Sequence, residues 1–293
     1  MSTATEFLRA MRLYQWVKNL LVFVPMVAAH DVSADAAIAG VAAFACFGLC
    51  ASAAYLINDL RDLEADRAHP RKRERPFAAG RLPAGAGRAA AVALVAVGLG
   101  AAPFVAAEFA AWLAVYVAAT LGYSFWFKRI ALFDVVVLAG LYTVRVIAGG
   151  AATGNPMTLW LLAFSMFLFT SLACLKRHAE VTEMADAGRL SVDGRGYQAD
   201  DEGLLMSFGT SAGMASVITL ALYINSAVVG NIYARPALLW GVCPVMLYWI
   251  ARMWLASRRG RMTDDPIVFA ARDPASWGLL ALMAGLVAMA WFG

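Results

Sequence analysis

The sequence predicts an all-α polytopic membrane protein, a bundle of nine transmembrane helices with a polar cap on the cytoplasmic side. Three observations carry that expectation. The 293 residues are 62% hydrophobic and 15% charged, with a mean hydropathy of +0.67, which is more apolar surface than one soluble core can hide. Apolar runs of roughly 18–22 residues recur along the chain, each able to cross about 30 Å of hydrocarbon as a helix. Nearly all of the 24 Lys and Arg residues fall on one side when those runs are threaded alternately through a bilayer.

In chain order the expected spans are 16–30, 36–57, 89–107, 109–127, 131–152, 157–175, 205–229, 235–257 and 275–292. The first is short and contains Lys18. Glu6 and Arg9 precede it and no cleavage-site pattern comes after it, so a removed signal peptide is not expected. With the N-terminus inside, the inner loops are 58–88, 128–130, 176–204 and 258–274, and only Arg145 and Arg235 lie away from the inner side. Short outer connections carry Asp31, Asp35 and Glu108. Residues 1–293 are read as one domain in the inner membrane, with any chemistry at the cytoplasmic face.

Several classes are excluded. Cys46, Cys50, Cys174 and Cys243 lie within apolar runs without metal-ligand spacing, and His30, His69 and His178 form no helical pair for zinc. There is no Gly-rich phosphate loop and no nucleophile elbow. The single basic cluster is interleaved with acids, which argues against nucleic acid as a partner.

The polar stretch after the second span is the main candidate site. If that span continues as a helix, Asp59, Asp62 and Asp66 stand at i, i+3 and i+7 on one face, and Asn58 joins them one turn before Asp62. Carboxylates so placed repel unless a cation sits among them, and hard oxygens suit Mg²⁺ shared with substrate phosphates. The basic run Arg71, Lys72, Arg73 and Arg75 comes next and can grip phosphate; a solvated inner loop obeying the positive-inside rule is the plain alternative. A second cluster closes the sixth span, where Lys176, Glu180 and Glu183 share a face with Arg177 and Asp186 nearby. Two polar helix ends four spans apart hint at a duplicated four-helix unit with one site between the halves, although Lys176 and Glu180 also fit a plain surface pair.

Three further positions stand out. Lys18 in "YQWVKN" either snorkels to the interface or meets an anion. Arg145 lies deep in the fifth span and needs a partner, for which the site acids, Asp134 or a carbonyl are available; a structural ion pair and a substrate contact are both open. Tyr123 and Lys128 close the fourth span, as an aromatic belt with a topogenic charge or as substrate contacts.

These residues resemble a known family. Asn58-Asp59-x-x-Asp62-x-x-x-Asp66 together with the downstream "RPFAAGRLP" looks like the first signature of the UbiA superfamily of intramembrane prenyltransferases. The likeness implies a UbiA-type bundle around a lipid-open cavity, in which two Asp-rich motifs hold Mg²⁺ and a diphosphate. Where that family carries Asp-x-x-x-Asp, this chain has Lys176-Arg177-x-x-Glu180. The departure is similar to the branch of decaprenyl-phosphate phosphoribosyltransferases, as are "QWVKNLLVFVP", "FWFKRIALFDVVVLAG", "VRVIAGG" and "DDPIVFAARD".

The resemblance implies phosphoribosyl pyrophosphate as donor and a polyprenyl phosphate as acceptor. Asp59, Asp62 and Asp66 are then expected to hold Mg²⁺. Lys176, Arg177 and Tyr197 are assigned to the donor, Lys18, Arg75 and Lys128 to phosphates, and Glu180 to a ribose hydroxyl or the metal. Prenyl transfer to a small acceptor and transport of an anionic solute are the alternatives. Small residues on exposed faces suit self-association, with a trimer as the expected state.

Overall fold

The computed structural model describes residues 3–68, 72–186, 188, 195–230, 232–262 and 265–292, and every regular element among them is helical. The α-helices are α1 (Thr3–Ala10), α2 (Val24–Ala28), α3 (Ala34–Arg61), α4 (Leu63–Ala68), α5 (Ala84–Ala101), α6 (Ala107–Phe125), α7 (Phe133–Thr153), α8 (Leu159–Asp186), α9 (Glu202–Ile224), α10 (Ala227–Gly230), α11 (Val242–Arg258), α12 (Pro266–Arg272) and α13 (Pro274–Phe292). Among the described residues, eight helical segments are long and apolar enough to cross a membrane. Their outward faces carry large apolar side chains such as Ile218, Leu222, Leu280 and Leu282, as a lipid-facing surface requires.

The expected first span departs from this pattern. It is an apolar stretch, Leu13–Ala28, that starts as an eleven-residue 3₁₀ helix over Leu13–Phe23 and ends as α2. The nine expected spans therefore become eight long helices and one short, mostly 3₁₀ segment. Runs of 3₁₀ helix this long are uncommon because their hydrogen bonds are poorer than those of an α-helix. Contacts with neighbouring helices hold this one.

With three residues per turn, side chains at i and i+3 eclipse, so Trp16, Asn19 and Val22 form one row. Trp16 donates from Nε1 to the Ser52 hydroxyl at 3.0 Å, and its ring lies where a side chain on Gly48 would be. Asn19 accepts from Arg145 Nε at 3.1 Å. Val22 presents its carbonyl so close to Gly149 that an added Cβ there would meet the oxygen at 2.0 Å.

The chain divides into two compact units, Met1–Phe125 with Val144–Met157 and Trp126–Thr143 with Thr158–Gly293. In the first, α3 is the central helix. Ser33 caps it by accepting from Ala36 N, and Gly98 of α5 fits against Cys50 and the Cys46 carbonyl, the small-residue contact that lets membrane helices approach closely. In the second unit the sequence "GTSAG" on α9 supplies the same device. Gly209 packs on Cys174 and Trp254, and Gly213 on Ser171 and Ile250, so α9 nests against α8 and α11. All four cysteines are free and buried.

Asp273 caps α13, accepting from the Ser276 amide at 2.8 Å and hydroxyl at 2.7 Å. Arg252 clamps the same carboxylate with two hydrogen bonds, at 2.5 and 2.9 Å. The Arg252 bonds hold the Asp273 carboxyl down to about 2.

Two outcomes test this packing. Gly149→Ala should destabilise the detergent-solubilised protein by about 2 kcal/mol or more in thermal unfolding. Gly140→Ala, whose new Cβ meets nothing within 4 Å, should leave it unchanged or slightly more stable. Because the Asp273 carboxyl titrates lower in the folded chain than unfolded, its stabilisation is complete above the ordinary carboxylate range of about 4 and is lost as pH falls toward 2. Asp273→Asn should remove that acid limb from a plot of melting midpoint against pH.

Candidate active site

In the first unit the C-terminal end of α3 gathers charge. The helix breaks at Asp62, whose φ of −89° and ψ of 13° leave the helical region, yet hydrogen bonding continues through the break, from Asp62 N to Asn58 O at 2.9 Å and from Asp66 N to Asp62 O at 2.8 Å. The expected continuous helix is thus kept in its hydrogen bonds but bent. Asp59 and Asp66 turn inward and are almost fully buried, whereas Asp62 and Asn58 are half-buried.

Buried carboxylates need cations. Arg75 supplies one to both: its Nη1 lies 2.6 Å from Asp66 Oδ2 and 3.3 Å from Asp59 Oδ1. Arg12 places Nη2 2.5 Å from the same Asp59 oxygen and stacks over the Tyr55 ring at 5.1 Å. Burial opposes the charge on Arg12, and Asp59 with the neighbouring tyrosines more than offsets it, so the guanidinium is held above its ordinary pKa.

Arg75 is itself anchored by the rest of the stretch it opens, "RPFAAGRLP". Phe77 and Leu82 are buried with Ala53, Leu56 and Ala91 in one apolar cluster, and Gly87 leaves room for the Phe77 ring. Arg81 in the same stretch donates from Nε to the buried Glu6 at 3.0 Å, which ties α1 to the loop.

Among the described residues no three His, Cys, Asp or Glu side chains are arranged to hold a metal ion. The Asp59–Asp66 pair nevertheless fits Mg²⁺. Its hard oxygens are buried and already bridged by a single cationic nitrogen, and Mg²⁺ is commonly held by one or two carboxylates completed by substrate phosphate and water.

Deeper in the same unit Arg145 donates to Asn19 Oδ1 at 3.1 Å and to the Tyr116 hydroxyl at 2.8 Å, with its guanidinium 4.6 Å from the Tyr116 ring centre. Of the partners weighed from the sequence, Asp134 is instead bound to Arg177 and Tyr197 in the second unit. Lys18 is buried beside Asn19, and Tyr123 is half-buried. Arg71 lies outside the described residues.

In the second unit the start of α7 and the last turns of α8 hold a polar network with a buried centre. Arg177 is completely buried, with Nε 2.6 Å from the equally buried Asp134 and Nη1 on Glu180. Arg195 reaches the same Glu180 oxygen at 2.9 Å. Tyr197 donates to Asp134 at 2.5 Å and accepts from the Leu132 amide at 2.8 Å, and this holds Leu132 in its left-handed conformation, with a φ of 62°. Burial, reinforced by the bond to Asp134, pushes the Tyr197 phenol well above its ordinary range. Arg177 and Tyr197 are therefore interior groups, with no open face for a substrate phosphate.

Lys176, one residue along, is more open and lies 3.2 Å from Asp265, which also accepts from Tyr142 and from Ile267 N. Lys128 is half-buried at the start of this unit. Sequence reasoning did not single out Arg12, Asp265 or Arg195. Arg12 is one more charge on the side rich in Lys and Arg, and Asp265, in the stretch "DDPIVFAARD", is found in the structure to cap α12.

The family profile of UbiA prenyltransferases matches residues 19–272. The chain belongs to the UbiA prenyltransferase family. This UbiA-family chain is 40% identical over 289 residues to the uncharacterized protein y4nM of Sinorhizobium fredii, covering 97% of the chain and 56% of that protein. It is 34% identical over 282 residues to the nodulation protein NoeC of Azorhizobium caulinodans, with 96% and 92% covered. A decaprenyl-phosphate phosphoribosyltransferase of Corynebacterium glutamicum is 42% identical over 188 residues, with 61% and 55% covered. The chain thus spans little more than half the length of two of these three relatives.

Among solved structures, a UbiA homolog from Archaeoglobus fulgidus bound to GPP and Mg²⁺ superposes with a TM-score of 0.73 at 17% identity, over 96% of this chain and 97% of that one. A digeranylgeranylglyceryl phosphate synthase gives 0.66 at 15% identity, over 99% and 98%. At those identities the likeness is one of fold; the eight long apolar helices and the family membership make this UbiA-family chain an integral membrane protein.

The buried pair in this UbiA-family chain gives a direct test. Asp134→Leu removes the buried partner of Arg177 Nε, leaving that guanidinium only Glu180, and should cost about 3–5 kcal/mol in detergent unfolding, whereas the double variant Asp134→Leu with Arg177→Met should recover most of the loss.

Proposed function

We propose that the protein transfers 5-phosphoribose from phosphoribosyl pyrophosphate to a polyprenyl phosphate, of decaprenyl type, at the cytoplasmic face of the membrane, with release of pyrophosphate and dependence on Mg²⁺. One observation carries the choice of donor. At the inner end of α8, where the resemblance to prenyl-diphosphate enzymes leads one to expect a second carboxylate pair, Glu180 is joined by a partly exposed ammonium, that of Lys176, held in place by Asp265. A cation there suits a donor that brings an additional phosphate, on ribose C5. The 42% identity to a decaprenyl-phosphate phosphoribosyltransferase over 188 residues supports the same reading.

In this scheme Asp59 and Asp66, with Asp62 beside them, hold Mg²⁺ against the donor's pyrophosphate. When bound, the ion neutralises charge that builds on the leaving group. Arg75 and Arg12 contact the same phosphates. The bond from ribose C1 to the pyrophosphate oxygen breaks, and an oxygen of the lipid phosphate bonds to C1 from the opposite face with inversion. That oxygen is already anionic, so no side chain has to remove a proton.

Lys176 serves the donor's 5-phosphate. Arg177, Asp134 and Tyr197 fix the helix ends that carry Lys176 and Glu180, and Glu180 takes a ribose hydroxyl. Lys18 and Lys128 remain assigned to phosphate, and the isoprenoid tail lies along apolar helix faces. Self-association as a trimer belongs to the same proposal.

Purified protein in detergent with Mg²⁺, phosphoribosyl pyrophosphate and a polyprenyl phosphate should release pyrophosphate only when both organic substrates are present. Asp59→Asn and Asp66→Asn should each lower turnover at least about 100-fold in protein that still folds in detergent, with a melting midpoint below that of wild type because a buried ion pair is broken. Lys176→Ala should raise KM for the donor more than for the lipid. Release of pyrophosphate from a prenyl diphosphate and a small aromatic acceptor, with none from the phosphoribosyl donor, would replace this reading with ordinary prenyl transfer.

A further inference from the structure

The arrangement of Arg12 and Arg75 goes beyond phosphate contact. Asp59 and Asp66 are enclosed, with 2% and 4% of their side-chain surface exposed, whereas Arg12 and Arg75 keep 19% and 26%. The acids form the floor of the cluster and the guanidiniums close it from the open side. Neither arginine sits within a long helix. Arg75 comes directly after the short 3₁₀ turn Lys72–Glu74, and Arg12 occupies the turn after α1 with a φ of 51° and ψ of 53°, a left-handed conformation that costs a non-glycine residue of order 1 kcal/mol. The bond to Asp59 and the stacking on Tyr55 hold it there.

Two carboxylates and two guanidiniums sum to zero charge, so a divalent cation entering alone would leave two uncompensated positive charges in a buried place. It would also need the lone pairs that Arg75 Nη1 now uses.

Resting on the reading of Asp59 and Asp66 as metal ligands, we propose that Arg12 and Arg75 are stand-in cations. They hold the carboxylate pair together in the metal-free protein. They exchange those carboxylates for the donor's pyrophosphate when metal and donor arrive together. Free metal is then bound weakly, and metal and pyrophosphate strengthen each other by equal factors, as linkage requires. Arg12 becomes a donor-positioning residue of the reaction alongside Arg75.

The test is metal binding, read without turnover. Mn²⁺ is titrated into the full-length protein in detergent and the free ion is counted by electron paramagnetic resonance, with and without inorganic pyrophosphate. Wild type should bind Mn²⁺ weakly alone and about tenfold more tightly with pyrophosphate. Arg75→Gln should bind Mn²⁺ alone several-fold more tightly than wild type and lose most of the enhancement, with Arg12→Gln moving the same way by less. Arg75→Lys retains the charge and should stay nearer to wild type, which separates displacement of a cation from loss of folding.

If Arg75→Gln binds Mn²⁺ alone no better than wild type while Asp59→Asn abolishes binding, the stand-in role is wrong and the transferase reading survives. If Asp59→Asn leaves Mn²⁺ binding intact, the metal assignment fails and this inference falls with it.

Discussion

The contact on which most of the first unit depends is the one between Arg75 and the two carboxylates of Asp59 and Asp66. Two acids buried a few residues apart at a helix end repel each other and have lost their water, so the helix end could not stay folded without a counter-charge. A planar guanidinium meets that need better than an ammonium, because its nitrogens can address two oxygens at once. Once Arg75 is committed, the stretch after it must stay near α3. Phe77 and Leu82 supply that adhesion through apolar burial, and Gly87 supplies the room. The electrostatic need thus dictates the course of the loop, and the loop closes one side of the candidate site.

The second unit solves the same problem differently. Its buried arginine, Arg177, is surrounded by Asp134, Glu180 and, through Asp134, Tyr197, so the charge is spent inside the protein. Lys176 is the neighbour left near the surface, with Asp265 steadying it. Adjacent positions on one helix therefore carry a fully buried cation that holds the fold and a cation that keeps part of its surface exposed. Burial divides the two roles, since both residues are basic.

Much of the fold was legible in the sequence, because length and apolarity are the whole requirement for a membrane-crossing helix. Eight of the expected spans correspond to long helices, with ends displaced by several residues where polar ends such as Asn58–Arg61 and Lys176–Asp186 continue as helix. The first expected span corresponds to the shorter apolar segment Leu13–Ala28, and composition cannot report its 3₁₀ geometry, which is accompanied by contacts to Gly48, Gly149 and Arg145. At the site, the three-Asp spacing pointed to this helix end, but spacing alone cannot foresee the break at Asp62 or that Asp59 and Asp66 are buried while Asp62 is half-buried. Arg12 was illegible for another reason. Its significance comes from a left-handed turn and from Asp59, 47 positions along the chain, and neither leaves a local mark. Asp265, likewise, gains its lysine partner only in three dimensions.

The row formed by Trp16, Asn19 and Val22 has an evolutionary corollary. Each residue of a 3₁₀ helix turns the chain by about 120°, so loss or gain of one residue between Leu13 and Phe23 would swing all three anchors off their partners together. Substitutions on the two remaining faces disturb none of them. Descendants of this sequence should therefore drift freely in letter at the exposed Leu20 while keeping the length of this segment fixed, a constraint on counting more than on chemistry.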